Sequence, residues 1–314
     1  MNEKEVFYKE KESCNLPFSH IKENVCGSTL TTIDELFGAA DVLSIQNANK
    51  HRVFLLTLSV LGSLLTFAFL LYDEVEIYGL ILVCGVLVLC LYAIYRVSDK
   101  AQSHRKYLQY RVLAEALRLQ FFLSYAGTRT QVIELMPWSV QQSIPWLKEV
   151  FLDIPVMEEV KKESILDCFI RDQKAYHEKA LKRAEIKNKK DNNITKVVLV
   201  ITVATYIVTL LFELFVYHQY TNTINTNLIR IILKLVLGSV SAITLFTGSY
   251  YGKMSLPNVI DDHKRMISLY NAAEERIINE GENEETILFL AKEFLNENSS
   301  WYAYQSKNTP EITI

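Results

Sequence analysis

The sequence is poor in helix-breaking residues and lacks the motifs of common enzymes. Its 314 residues include only 6 prolines and 10 glycines, so long helices can run without interruption. It contains no GxGxxG, GxxxxGK[ST], HExxH or GxSxG pattern, and its six histidines form no close cluster along the chain. We therefore expect a protein that is not an enzyme and that uses no cofactor.

Cysteine is scarce, and charge of neither sign dominates. The five cysteines are odd in number and scattered, which indicates reduced thiols rather than a disulfide framework. Cys14, His20 and Cys26 would supply at most part of a zinc site, because zinc usually takes four ligands. A net charge of −3 excludes a strongly basic nucleic-acid binder. We expect no metal site and no nucleic-acid partner.

Long hydrophobic runs are what the sequence does contain. A helix needs about 20 mostly apolar residues to cross the hydrocarbon core of a bilayer, because its backbone polar groups must be satisfied internally. Four runs meet this requirement: 53–72, 77–95, 197–217 and 228–250. The sequence predicts an all-α integral membrane protein in which four spans form two transmembrane hairpins, with long cytoplasmic helical extensions.

The positions of lysine and arginine predict the orientation. These residues gather beside the spans in the first 50 residues, in the central region and after the fourth span, whereas the turns within the hairpins carry none. By the positive-inside rule, both termini and the central region are cytoplasmic. The predicted segments are an N-terminal cytoplasmic segment 1–50, hairpin 51–96, cytoplasmic helical region 97–196, hairpin 197–252 and cytoplasmic tail 253–314.

The central region and the tail show helical periodicity. A helix is predicted to continue from the second span to about Gly127 and, at about 1.5 Å per residue, to project some 40 Å as a stalk. Two further helices in the tail, 261–280 and 285–302, are expected to pack on the central helices, because apolar faces must be covered. The apolar stripe of the first helix comprises Leu108, Val112, Ala116, Leu119 and Phe122.

Three charged residues interrupt the apolar spans. Glu213 lies in the third span, and Arg230 and Lys234 lie near the start of the fourth. Charges within spans are costly and usually face a partner, the bundle interior or water. Because Glu213 and Lys234 lie at similar depths, we favour an ion pair between them. Snorkelling to the outer interface and a charged ring that lines an oligomeric pore are the alternatives.

A second charged group lies on the predicted central helix. Arg111, Glu115 and Arg118 share one helix face by their spacing, with the carboxylate between two guanidinium groups. A surface or subunit-packing row is the favoured interpretation. As part of a ligand site, the two arginines would grip phosphate groups through bidentate hydrogen bonds.

Several strings around the four spans resemble one bacterial family. They are YRVLAEALRLQFF followed by SYAG, then IRDQKAYHEKA, DHKRMISLYNAAEERI and LNENSSWY. In this order they resemble the SLATT-type, SMODS- and SLOG-associating transmembrane effectors, over about residues 30–310. The resemblance implies a pore-forming effector of a bacterial defence system, which answers a nucleotide second messenger and disrupts the inner membrane. Gln173 and Tyr176 lie within these strings and join Arg111, Glu115 and Arg118 as a candidate coupling or ligand surface.

The sequence departs from the family in what precedes the first span. About 50 residues stand there, too few for a SLOG sensor, so we expect the helical region or a separately encoded sensor protein to receive the signal. The four apolar spans offer no aqueous path through one subunit, which predicts a homo-oligomer in the lipid bilayer. A membrane-anchored scaffold or adaptor without a pore remains the main alternative, and a small transporter is a weaker one because the spans contain no proline.

Overall fold

The structure, a computed structural model, describes residues 3–11, 28–75, 79–155, 164–217, 224–254 and 256–307. No strand occurs within these ranges, which confirms the predicted all-α class for them. Cys14, His20 and Cys26 lie outside the described residues. The helices are α1 (Glu3–Lys11), α2 (Ser28–Val75), α3 (Gly79–Ala101), α4 (Ser103–Tyr125), α5 (Val132–Leu135), α6 (Trp138–Ser143), α7 (Leu147–Leu152), α8 (Asp172–Leu211), α9 (Ile224–Met254), α10 (Leu256–Glu280) and α11 (Glu284–Lys307). Two π-helical segments, Leu166–Arg171 and Phe212–Tyr217, adjoin the ends of α8.

Four helices of the described chain are long and apolar enough to cross a membrane. The predicted spans 53–72 and 228–250 lie within α2 and α9, and 197–217 covers the end of α8 and the π-helical segment after it. The described part of the second span lies in α3. These helices place the chain among multi-pass membrane proteins, because single helices of this length satisfy their own backbone in lipid.

The described residues divide into two compact units. The head unit draws its residues from three separate stretches of the chain, and the span unit from two. The stretches of the head unit are Met1–Lys50, Gln102–Leu181 and Asp261–Ile314, and those of the span unit are His51–Ala101 and Lys182–Ile260.

Helix α4 is the central helix of the head unit. All five residues of its predicted apolar stripe are buried, and so are residues on its other faces, including Leu113, Leu117 and Phe121. It is therefore enclosed by the rest of the unit, and the prediction of a projecting stalk is wrong. The predicted helix from the second span to about Gly127 is present with one interruption. Gln102 adopts a left-handed conformation with φ 48°, which separates α3 from α4.

An aromatic cluster joins four elements of the head unit. The ring of Phe122 on α4 stacks on Phe169 with centroids 4.2 Å apart. Phe169 meets Tyr270 of α10 edge-on at 5.9 Å, and Tyr270 meets Phe294 of α11 at 4.8 Å. Each such pair contributes about 0.5–1.5 kcal/mol beyond the burial of its surface.

Both predicted tail helices form and pack within the head unit. On α10, Tyr270, Ala273 and Ile277 are buried, whereas Ile278 is 61% exposed. Helix α11 packs on α4 and α5. Other helices of the same chain therefore cover the buried faces of these two helices.

Candidate functional site

Four charged side chains form two ion pairs in the span unit. Arg230 on α9 donates a hydrogen bond from Nε to Oε1 of Glu213 at 2.6 Å. Lys234, one helical turn further along α9, donates to both carboxylate oxygens of Glu74 on α2, each at 2.8 Å. The four groups therefore balance one another, as the cost of charge in an apolar environment requires.

The expected pairing of Glu213 with Lys234 is wrong. The prediction counted Glu74 as part of the turn between the first two spans, but α2 continues to Val75 and keeps Glu74 on the helix. Lys234 pairs with this extra carboxylate, which leaves Glu213 to the guanidinium of Arg230. Similar depth in the membrane does not distinguish two cations on adjacent turns of one helix.

Arg230 is held by an aromatic ring as well as by a carboxylate. Its guanidinium lies 4.3 Å from the ring centroid of Tyr217, within the range of a cation–π interaction. Tyr217 and Glu213 both belong to the π-helical segment after α8. The wider π-helical turn thus presents two partners to the same arginine.

A cavity of about 510 Å³ adjoins the ion pairs. Glu74, Glu213 and Lys234 line it, with the hydroxyl-bearing residues Thr209 and Ser241. The remaining lining is mostly apolar and comprises Phe67, Leu70, Leu71, Tyr206, Leu210, Leu235, Leu237 and Gly238. The cavity thus combines polar groups with mostly apolar walls.

A second charged cluster lies in the head unit. Glu115 accepts from Arg111 at 2.5 Å and from Arg118 at 2.9 Å. Arg118 also donates from Nη1 to Oε1 of Gln173 at 3.1 Å, and Arg111 lies 3.8 Å from Asp41. The cluster therefore connects α2, α4 and the start of α8, and its side chains are largely shielded from solvent.

Electrostatics favour the ionised form of this cluster. Burial favours the neutral form of Glu115, but the positive charges of Arg111 and Arg118, with a smaller effect of His177, keep the pKa of the carboxyl below its usual value. The Glu115 carboxylate in turn raises the pKa of Arg111. Because the guanidinium groups are already engaged by protein groups, the cluster suits packing within the head unit better than capture of a phosphate.

Two histidines meet beside this cluster. Nδ1 of His177 on α8 lies 3.0 Å from Nδ1 of His263 on α10, so one ring must donate and the other accept. Burial, the neighbouring His263 and the nearby arginines lower the pKa of His177 to about 4, against the opposing effect of Glu115. His177 is therefore neutral at pH 7.

The structure brings most of the sequence-predicted site residues into these two places. Tyr176 alone lies toward solvent, 45% exposed, with its ring edge-on to His177 at 5.3 Å. Sequence reasoning missed Glu74 and the pairing of His177 with His263. The helical pattern before Val75 could have indicated that Glu74 belongs to the helix. No local pattern indicates the histidine pair, because 86 residues separate the two rings.

Comparison with family models, curated proteins and solved structures finds no match for this chain. The described ranges also contain no group of three or more His, Cys, Asp or Glu side chains placed to hold a metal ion. Function must therefore be inferred from the charged cavity, the head-unit cluster and the four apolar helices.

Proposed function

We propose that this chain is a pore-forming or membrane-disrupting effector of a bacterial defence system, gated through its head unit by a nucleotide signal. It acts as a homo-oligomer in the inner membrane, with both termini in the cytoplasm. The distribution of lysine and arginine around the spans supports this orientation. The resemblance of the flanking strings to SLATT-type effectors supports the biological role.

The observation that carries the proposal is the arrangement of ionisable groups in the span unit. Two carboxylates and two cations, all partly exposed, lie among the apolar helices beside a cavity with hydroxyl-bearing walls. Ionisable groups at such positions are expensive, and they commonly mark ion pathways or gates.

The continuity of the helices supports control from outside the membrane. Helices α2 and α8 each belong partly to the head unit and partly to the span unit, with no break at the boundary. In this proposal, a signal received by the head unit reaches the spans along these two helices. The cluster around Glu115 includes groups from both helices, so a signal that loosens it would act on both.

A membrane-anchored scaffold is the second candidate. The ion pairing favours it in one respect, because both cations of the cavity are balanced within one chain, as a passive anchor requires. In this case the head unit would be the functional part and the spans would only hold it at the membrane.

Ion flux from liposomes separates the two candidates. The full-length chain would be reconstituted with entrapped K⁺ and a fluorescent dye, then exposed in turn to ATP, GTP, cyclic mononucleotides and cyclic dinucleotides. The pore proposal expects release of K⁺ with at least one of these nucleotides and expects cross-linking to trap oligomers. A chain that stays monomeric and releases nothing under any of them is an anchor.

A further inference from the structure

Hydroxyl and acidic side chains follow one face of the third span. Thr195, Thr202 and Thr209 recur every seven residues on α8, with Asp191 four residues before the first and Glu213 four residues after the last. Residues four and seven apart lie on the same side of an α-helix. The most apolar part of the chain therefore carries a continuous polar stripe.

Helix α9 presents a matching set toward this stripe. Oγ1 of Thr202 lies 2.7 Å from Oγ1 of Thr244, a hydrogen bond that links the two helices directly. Toward Glu213, Thr209 and Ser241 line the same cavity. We call these groups the polar seam: Asp191, Thr195, Thr202, Thr209 and Glu213 along the third span, with Arg230, Lys234, Ser241 and Thr244 on α9 opposite the half from Thr202 to Glu213.

The polar seam is long enough to cross a membrane. Thr202 stands at its midpoint, eleven residues from Asp191 and eleven from Glu213. At 1.5 Å per residue, the 22 residues between these carboxylates span about 33 Å, close to the thickness of a hydrocarbon core. With the third span at 197–217, Asp191 lies just outside one end of the hydrocarbon core and Glu213 just inside the other, so the seam covers most of its thickness.

The contact between Thr202 and Thr244 closes the seam at this midpoint. A separation of 2.7 Å leaves no room for water or an ion between the two oxygens. Each hydroxyl also lies within hydrogen-bond distance of a carbonyl of its own helix, 2.8 Å for Val198 and 2.9 Å for Val240. The helices can therefore part here without leaving either hydroxyl unsatisfied.

Asp191 gives one end of the seam an unusual carboxylate. The residue is only 9% exposed, and its Oδ2 is buried without a hydrogen-bond partner. The hydroxyl of Thr195 bonds to the main-chain carbonyl of Asp191 rather than to its carboxylate. The adjacent Lys189 and Lys190 are exposed and line a separate surface groove. A buried carboxylate oxygen without a donor is costly, and a bound cation would satisfy it.

We propose that the polar seam is the route by which cations cross the membrane, with the contact of Thr202 and Thr244 as its closure and Asp191 as a cation site at one end. This inference rests on the proposed function and names the residues of the path and the class of ion. The structure then represents the closed state. Opening requires α8 and α9 to separate at Thr202, which joins the Asp191 end to the charged cavity. This path lies within one subunit, unlike the path between subunits that the apolar character of the spans predicted.

The test is a current measurement on the full-length chain in planar bilayers, under a KCl gradient, with the nucleotides named above and a range of voltages. The double variant T202V/T244V keeps the side-chain volume but replaces both hydroxyls with methyl groups. Because the narrowest point of the path then has no oxygen to replace the water around the ion, we expect current to fall at least tenfold even though the closing hydrogen bond is gone. T202S, which keeps the hydroxyl, should conduct like the wild type. T205V is the matched control, because the hydroxyl of Thr205 bonds to the Ile201 carbonyl of its own helix in an exposed hydrogen bond.

Ion selectivity tests the role of Asp191. We expect D191N to lower the preference for K⁺ over Cl⁻ at least tenfold and to move the reversal potential toward zero. E185Q, which removes a negative charge from an exposed position on the same helix, should leave the reversal potential unchanged. Each variant must match the wild type in yield and thermal unfolding midpoint, so that a loss of current is not a loss of folded protein.

The possible results separate this inference from the proposed function. If the wild type conducts, and T202V/T244V and D191N behave like their controls, the seam is not the route of the ions. The proposal that the protein forms a pore would then still stand. A wild type that prefers Cl⁻ would overturn the cation assignment. No wild-type current under any nucleotide or voltage would overturn both proposals.

Discussion

Arg230 and Glu213 form an ion pair between α9 and the π-helical segment after α8, with 2.6 Å between Nε and Oε1. The sequence had predicted an ion pair between Glu213 and Lys234. Lys234 is instead committed to Glu74 on a third helix. The charged groups thus connect three of the four apolar helices, which gives the span unit a defined register.

This pairing predicts which charge reversals restore stability. We expect E213R to destabilise the protein, because it places two cations together, and E213R/R230E to recover most of the loss. The coupling free energy should be about 1 kcal/mol or more, at the upper range of side-chain pairs in membranes. Thermal unfolding in detergent measures it, with E213R/K234E as the control. Equal recovery by the control would contradict the pairing.

Glu115 should be more important to the head unit than an exposed carboxylate. E115Q leaves Arg111 and Arg118 with no carboxylate between them, and we expect a loss of about 2 kcal/mol in the free energy of unfolding. D167N removes a carboxylate of similar geometry from an ion pair with Arg171 that is 46% and 80% exposed, and it should cause a much smaller change. Chemical denaturation of the full chain in detergent compares the two. A loss for D167N as large as that for E115Q would contradict the assignment.

His177 predicts a loss of stability in mild acid. Its pKa is lowered from 6.5 in the unfolded chain to about 4 in the folded protein, so the unfolded state binds the proton first as pH falls. Stability contributed by the neutral ring is complete above pH 6.5 and declines between pH 6.5 and 4, by up to about 3 kcal/mol at 1.36 kcal/mol per pH unit. Unfolding midpoints across this range should fall less steeply for H177Q. Burial also lowers the pKa of His104, so part of the decrease in stability with falling pH will remain in H177Q. H104Q serves as the comparison. An H177Q slope equal to that of the wild type would argue against this account.

Gly238 predicts a steric limit between α2 and α9. A Cβ atom at this position would lie 3.1 Å from Cδ1 of Leu70, closer than ordinary van der Waals contact. We expect G238V to force the two helices apart, to weaken the adjacent pair of Glu74 with Lys234 and to lower the unfolding midpoint. A Cβ atom at Gly248, on the same helix, would meet no neighbouring atom within 4 Å, so G248V is the matched control. If both variants unfold at the same temperature, close packing at Gly238 is not needed.

The sequence predicted the helices of this protein better than it predicted which side chains contact each other. The four apolar runs, the stripe on α4 and the tail helices all follow from local periodicity, and the structure contains each of them. The stalk and the Glu213–Lys234 pair were wrong for a shared reason. Whether a helix is enclosed, and which of two nearby cations meets a carboxylate, depends on segments distant in sequence. The contact of His177 with His263 and that of Thr202 with Thr244 could not be predicted on the same grounds.

The amino-acid sequence by itself determined that this chain is helical and that four of its helices can cross a membrane, because hydrophobic length and periodicity are local properties. It also marked Glu213, Arg230 and Lys234 as exceptional, since charge is rare in an apolar run. Only the tertiary structure decided that Glu74 completes the charged group, that α4 is a core helix, and that hydroxyls of α8 and α9 meet. Those facts depend on side chains brought together across long separations, where packing and the need to satisfy buried polar groups select one partner among several.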